Sequence, residues 1–190
     1  MDITGFRPSF CSLEGTESDR LLESLFLSGA RFPPYKTAMS NVPGLRSPYA
    51  RVGRLVYFGR MLDKIRLNAA GRLPPEYQAN LGDATNFNLF DARCCRFLGL
   101  KYADIVVRTL QGGTDEGVLS WCETTGTPRT DEECAVWSSF MMKIGWRDQS
   151  SGRLQERIAQ YGLAGKDIST FFDMIDWDEG RDPAATRPWK

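Results

Sequence analysis

Residues 53–71 read Gly-Arg-Leu-Val-Tyr-Phe-Gly-Arg-Met-Leu-Asp-Lys-Ile-Arg-Leu-Asn-Ala-Ala-Gly, and the spacing of their apolar positions decides the fold class. Leu55, Phe58, Leu62, Ile65 and Ala69 follow one another at intervals of three and four, which places them on one stripe of a helix with about 3.6 residues per turn. Val56, Tyr57 and Met61 lie off that stripe. A helix that is apolar on more than one side is surrounded by neighbours, so residues 53–71 are expected as a central, buried helix. Among its apolar positions stand Arg60, Asp63, Lys64 and Arg66. A buried ionic group costs several kcal/mol, about 3 or more, unless it is paired, so these charges need partners or water.

Further along, Gly71 and Pro74-Pro75 end the helix as C-cap and breaker residues do. A polar connection rich in Asn, Gly and Asp runs over residues 76–88. Helical spacing resumes from about Phe90 to Phe97, closed by Gly99, and again with Tyr102, Ile105, Val106 and Leu110, closed by Gly112-Gly113. Thr114 can cap a helix with Asp115 and Glu116 in its first turn and Val118, Leu119 and Cys122 on its buried side. Thr130-Asp-Glu-Glu133 is a capping box, followed by Cys134, Trp137, Met141 and Ile144 on one stripe. Leu154, Ile158 and Tyr161 mark another helix, and Ser169 is expected to cap a last one carrying Phe171, Phe172 and Ile175. No stretch alternates with period two over a useful length, so a sheet is not expected. The fold class is therefore all-α, a compact single-domain multi-helix bundle around one central buried helix.

Residues 1–45 hold Gly5, Pro8, Gly15, Gly29, Pro33, Pro34, Pro43 and Gly44, with spacing for only a brief helix at residues 18–27. Such a stretch buries little. The expected organisation is a weakly ordered N-terminal extension over residues 1–41, a helical domain over 42–182 and a C-terminal tail over 183–190. Met39-Ser40 lies just before periodic structure begins, so residues 1–38 are expected as an extension or a misplaced start.

Composition narrows the function classes. Lys plus Arg equals Asp plus Glu at 24 each, which leaves no global field to draw in nucleic acid or an anionic membrane. The apolar runs are far shorter than the roughly 18 residues a spanning helix needs, and Met1 to Pro8 is no basic leader before an apolar run. None of the five cysteines forms a Cys-x-x-Cys pair, which argues against a disulfide framework or zinc knuckle and for a reducing cytoplasm. Histidine is absent. That removes the usual near-neutral acid or base and the commonest ligand for a transition metal, so neither a metal nor a cofactor is expected.

Several segments together carry a resemblance: Leu45-Arg-Ser-Pro48, Arg60-Met-Leu-Asp-Lys64, Tyr77-Gln-Ala-Asn-Leu-Gly82, Phe90-Asp-Ala-Arg-Cys-Cys-Arg-Phe-Leu-Gly99, Gly112-Gly-Thr-Asp-Glu116, Trp121-Cys122 and Phe172-Asp-Met-Ile-Asp-Trp-Asp-Glu-Gly180. Residues 42–182 resemble the bacterial domain of unknown function 5069 family, uncharacterised proteins. The resemblance implies a small helical cytoplasmic protein and no activity. Arg54 stands where that family leads one to expect a second small residue, Ala92 where one expects glycine, and the link from Gly82 to Phe90 is longer.

Two constellations could carry chemistry. Asp63 and Lys64 point about 100° apart on a helix and cannot pair with each other. Desolvation would raise the one and lower the other, which is how acid and base groups arise without histidine; these are the catalytic candidates. The alternative is a bridge from Asp63 to Arg60 or Arg66 at a spacing of three. The second constellation, Tyr77, Asn80, Asp91 and Arg93, puts a phenol, an amide, a carboxylate and a guanidinium on or beside a loop, a common way to bind a small anion or carbonyl compound. Otherwise Asp91 caps its helix and Asn80 closes a turn. From Arg46 to Arg72 seven basic residues face Asp63 alone, whereas residues 167–182 are acidic. The simplest account docks the last helix on the first; a phosphate site and magnesium at Asp173, Asp176 and Asp178 are the others. Of adjacent Cys94 and Cys95, one is expected in the core and the other at its rim.

The expected function is binding of a small anionic or carbonyl metabolite, with catalysis left open, in a polar pocket beside the central helix. Asp63 or Lys64 would handle a proton there, and Arg60 and Arg93 would hold an anion. The alternative is a helical protein–protein interaction module without catalytic activity, whose mark is a contiguous exposed apolar patch.

Overall fold

A computed structural model describes residues 41–82 and 89–189. The expectations for residues 1–40, and for the middle of the link between Gly82 and Phe90, lie outside the described residues. What is described is mostly helical. A short antiparallel ribbon, β1 Arg51–Val52 and β2 Leu55–Val56, sets Arg51 opposite Val56 and Val52 opposite Leu55. The helices that follow are α1 Phe58–Ala69, α2 Pro75–Gln78, α3 Phe90–Leu98, α4 Tyr102–Leu110, α5 Asp115–Thr125, α6 Asp131–Lys143, α7 Ser151–Gln160, α8 Phe171–Asp178 and α9 Pro183–Thr186.

The ribbon corrects two expectations at once, the absence of strands and a helix running unbroken from residue 53. Gly53 takes a positive φ of 51° in the two-residue turn, a geometry that favours hairpin closure. Leu55 and Val56 are then buried on β2, so their apolar character fits a strand buried on both sides as well as it fits a helix. Helix begins only after Tyr57, whose own φ of 65° turns the chain.

Capping chemistry places most other ends. Thr114 accepts from the Gly117 amide, and Thr130 and Glu133 form the reciprocal capping box. Gly99 closes α3 in the left-handed conformation that costs glycine nothing. At α8 the cap is Thr170, one residue beyond the expected Ser169: its hydroxyl accepts from the Asp173 amide, and the Asp173 carboxylate accepts back from the Thr170 amide.

The core gathers Leu55, Val56, Phe58, Met61, Leu62, Cys94, Leu98, Ile105, Val118, Met141, Leu154 and Phe172, all essentially without solvent contact. Here α1 packs on α4 and β1, β2 on α6, and α6 on α8. Cys94 and Cys95 are both buried, which corrects the core-and-rim expectation; burial pushes the Cys94 thiol up, and the Cys122 thiol is pushed up to about 12 by the same cause. Residues 183–189, expected as a tail, add α9, bury Pro183 and bring Trp189 edge-on to Tyr49.

Candidate functional site

One face of α1 is polar and buried. Tyr57, Arg60 and Lys64 stand three, four and seven residues apart, so their side chains share a side of the helix. Each is buried, Lys64 to 2% exposure.

Lys64 reaches across to α3. Its Nζ donates to Asp91 Oδ1 at 2.6 Å, to Tyr57 Oη at 3.1 Å and to the Asn80 carbonyl at 3.2 Å. An ammonium has three protons, and all three are used. The Tyr57 hydroxyl in turn donates to the same Asp91 Oδ1 at 3.0 Å. Asp91 sits in the first turn of α3 at 0% exposure, where the positive end of the helix dipole favours a carboxylate. Its second oxygen, Oδ2, is buried and has no hydrogen-bond donor among the described residues. Burial drives the Lys64 ammonium towards neutrality, with Asp91 opposing, and burial likewise pushes the Tyr57 phenol well up.

Tyr57 is held in a costly posture. A left-handed φ on a bulky residue is strained by about 1–3 kcal/mol. Its amide donates to the Pro48 carbonyl and its carbonyl accepts from the Met61 amide, both at 3.0 Å, while its ring packs against Phe90 and Phe172 at 5.3 and 5.8 Å. These contacts aim the hydroxyl at Lys64 and Asp91.

A second cluster lies one turn back along α1. The Arg60 guanidinium grips both oxygens of Glu179, which is 2% exposed, and also donates to the Arg46 carbonyl at 2.7 Å. Glu179 accepts further from the Tyr77 hydroxyl at 2.7 Å and from Arg181. Burial alone would raise the Glu179 carboxyl, but Arg60, Arg181 and the Tyr77 hydroxyl together outweigh it and hold the carboxyl below its ordinary range. Asp176 accepts from Ser47, Thr186 and Arg181; Asp173 accepts from Tyr49 and Ser169. The basic stretch meets the acidic C-terminal segment through Arg60 and Glu179, while Arg46 and Arg66 pair with Asp115, Arg54 with Glu123 and Asp131, and Lys64 with Asp91.

The sequence-derived candidates fall into four places. Lys64, Asp91 and the backbone of Asn80 come together; the Asn80 amide itself turns to the Glu76 carbonyl at 3.5 Å. Asp91 makes no capping bond to α3. Arg60 and Tyr77 meet at Glu179. Asp63 pairs with neither Arg60 nor Arg66: the segment before β1 crosses α1 and sets Arg46 against it, with both Arg46–Asp63 side-chain bonds at 2.7 Å, while Arg66 bonds Asp115. Arg93 lies some 200° around α3 from Asp91, over the Phe140 ring at 5.6 Å. Burial and the neighbouring charges of Arg96 and Arg153 disfavour its cation. Tyr57 and Glu179 were missed as site residues. For Tyr57 a signal exists, since it precedes Lys64 by seven residues, two helical turns; for Glu179, 119 residues from Arg60, none does.

Fold and site together define a helical domain whose polar interior is closed by its own side chains. The chain belongs to a family described as a domain of unknown function (DUF5069), whose model matches residues 42–181. No curated protein was found to match it.

Proposed function

We propose that this chain is a small-ligand-binding protein whose site is the Tyr57–Lys64–Asp91 cluster, with α1 as its central helix. The observation that carries the proposal is Asp91 Oδ2, a buried carboxylate oxygen without a donor among the described residues. Leaving such an acceptor unmet costs about 1–3 kcal/mol, and a ligand that brings an N–H or O–H to it recovers that cost. The ligand is therefore a small polar metabolite with a hydroxyl, amide or amine donor, carrying a carbonyl where Lys64 exchanges its Asn80 bond for one to the ligand. An anion is a poorer fit, because beside Lys64 it would lie against the Asp91 carboxylate and Arg60 is held by Glu179. Were a reaction to follow binding, Lys64 would carry the proton, since burial already lowers the affinity of its amine for one.

A thermal-shift screen against small metabolites bearing such donors, followed by calorimetry on Asp91→Asn and Tyr57→Phe, tests this. Asp91→Asn is expected to weaken a hit at least tenfold by removing the charged acceptor, and Tyr57→Phe to weaken it less with the charges intact. A hit bound equally well by the parent and both folded variants would place the site elsewhere.

A further inference from the structure

The exposed side of α6 is not used by the cluster on α1. Glu132, Val136, Ser139, Phe140 and Lys143 recur at helical spacing and are all exposed, Val136 to 64% and Phe140 to 51%. Beside them an open groove is floored by Phe97 and Trp137, whose rings stack with centroids 4.7 Å apart, and walled by Glu132, Glu133, Val136 and Phe140. Isolated apolar residues on a surface need no explanation, but Val136 and Phe140, one turn apart with an aromatic-floored groove alongside, mark an interaction face.

The charges on this face are arranged by end. Asp131, Glu132 and Glu133 open α6, Asp131 paired with Arg54 and Glu133 with Arg129 so that Glu132 is the acid left for a partner, and Lys143 closes it. Arg93 lies over Phe140, towards the closing end. Glu132 and Lys143 have no ion-pair partner among the described residues. An acidic end and a basic end on one helix are complementary to the same helix turned around, and an isologous contact about a two-fold axis does that turning. We infer that α6 pairs antiparallel with α6 of a second copy of this chain, about a two-fold axis passing between Val136 and Ser139.

In that arrangement Glu132 of each copy faces Lys143 of the other. Phe140 of each meets Val136 of the other and enters the groove floored by Phe97 and Trp137, while the small Ser139 lets the helices approach to the usual 8–10 Å. A parallel pairing would set acid on acid and base on base. The stripe is short, so the contact belongs at the low end of specific interfaces, about 1,000 Å², and the dimer is expected to dissociate at micromolar concentration, on the order of 10–100 µM.

Sedimentation equilibrium of the full chain over a concentration series tests the pairing. The mass should climb from 21.4 kDa towards twice that value. Phe140→Glu should weaken association at least tenfold, as should Glu132→Lys or Lys143→Glu alone, with helical content checked by circular dichroism; Val136→Glu serves if Phe140→Glu fails to fold. The double reversal Glu132→Lys/Lys143→Glu should restore the parent affinity to within about threefold, although both changes oppose the dipole of α6, so restoration cannot come from a steadier helix. A monomer at every concentration, or a dimer indifferent to Phe140→Glu, overturns the proposal. Single reversals that weaken without rescue by the pair overturn the antiparallel register.

Discussion

Replacing Lys64 by Met keeps the length of the side chain and removes its charge. Asp91 would then stay at 0% exposure with, among the described residues, only the Tyr57 hydroxyl on Oδ1 and no donor on Oδ2, while Tyr57 and the Asn80 carbonyl would each lose the ammonium they now receive. Breaking a buried pair from one side costs about 3–5 kcal/mol, because the remaining charge has neither water nor partner. At about 2–4 °C per kcal/mol for a chain of this size, the melting temperature should fall by about 6–20 °C. Urea unfolding followed by tryptophan fluorescence measures the loss directly. Lys64→Met/Asp91→Asn removes both charges and should fall short of the summed single costs by at least about 2 kcal/mol, the coupling expected of groups in direct contact. A Lys64→Met cost below about 1 kcal/mol, the level of a solvent-exposed pair, would mean that the ammonium reaches water. The sealed cluster, and the ligand site built on it, would then be refuted.

Two further outcomes follow from the same geometry. Burial raises the phenols of Tyr49, Tyr57 and Tyr77, so above about pH 10 the unfolded chain releases protons that the fold retains, and stability must fall as pH rises. Lys64, lowered by burial, acts with the opposite sign, adding stability as pH climbs towards the unfolded lysine value near 10.4. The buried Cys94 and Cys122 thiols, raised as well, remove stability from about pH 8.5 upward and outnumber Lys64, so the expected profile declines from there and drops more steeply above about pH 10, with phenolate absorbance of Tyr49 and Tyr57 appearing only as helicity is lost; if these two phenols ionise near 10 in the folded protein, they are not buried. The third prediction concerns Gly59, where an added Cβ would lie 2.4 Å from the Arg46 guanidinium and 2.8 Å from Val52. Gly59→Ala should push Arg46 off Asp63 and cost about 1–3 kcal/mol in a urea titration, and an unchanged midpoint would show that Arg46 can move at no cost.

Local chemistry was legible where it acts over a few residues. Thr114, Thr130 and Gly99 announce their helix ends because a hydroxyl three residues before an amide, or a glycine after the last turn, works the same way in any tertiary setting. Leu55 and Val56 were not legible, since a short apolar run surrounded by core satisfies helix and strand alike and the turn at Gly53 is what chooses. The buried charges on α1 were visible as a problem, and Lys64 and Asp91 were both named, but their solution was not. Arg60 finds Glu179 across 119 residues, and Asp63 takes Arg46 from a segment with no periodic pattern. Neighbour spacing on a helix, the rule that offered Arg60 or Arg66 to Asp63, is worth a few tenths of a kcal/mol, roughly 0.2–0.5, and a bidentate partner from outside outweighs it.

The separation between Arg60 and Glu179 sets a clock on biosynthesis. At about 5–20 residues per second, Glu179 is made roughly 6–24 s after Arg60, whereas Asp91 follows Lys64 by 27 residues and arrives within roughly 1–5 s. A nascent chain can therefore join lysine to aspartate early, but it must keep its arginine in water until the far carboxylate emerges. Until residue 179 has been made, the Arg60 guanidinium lacks the carboxylate that it pairs with in the folded chain.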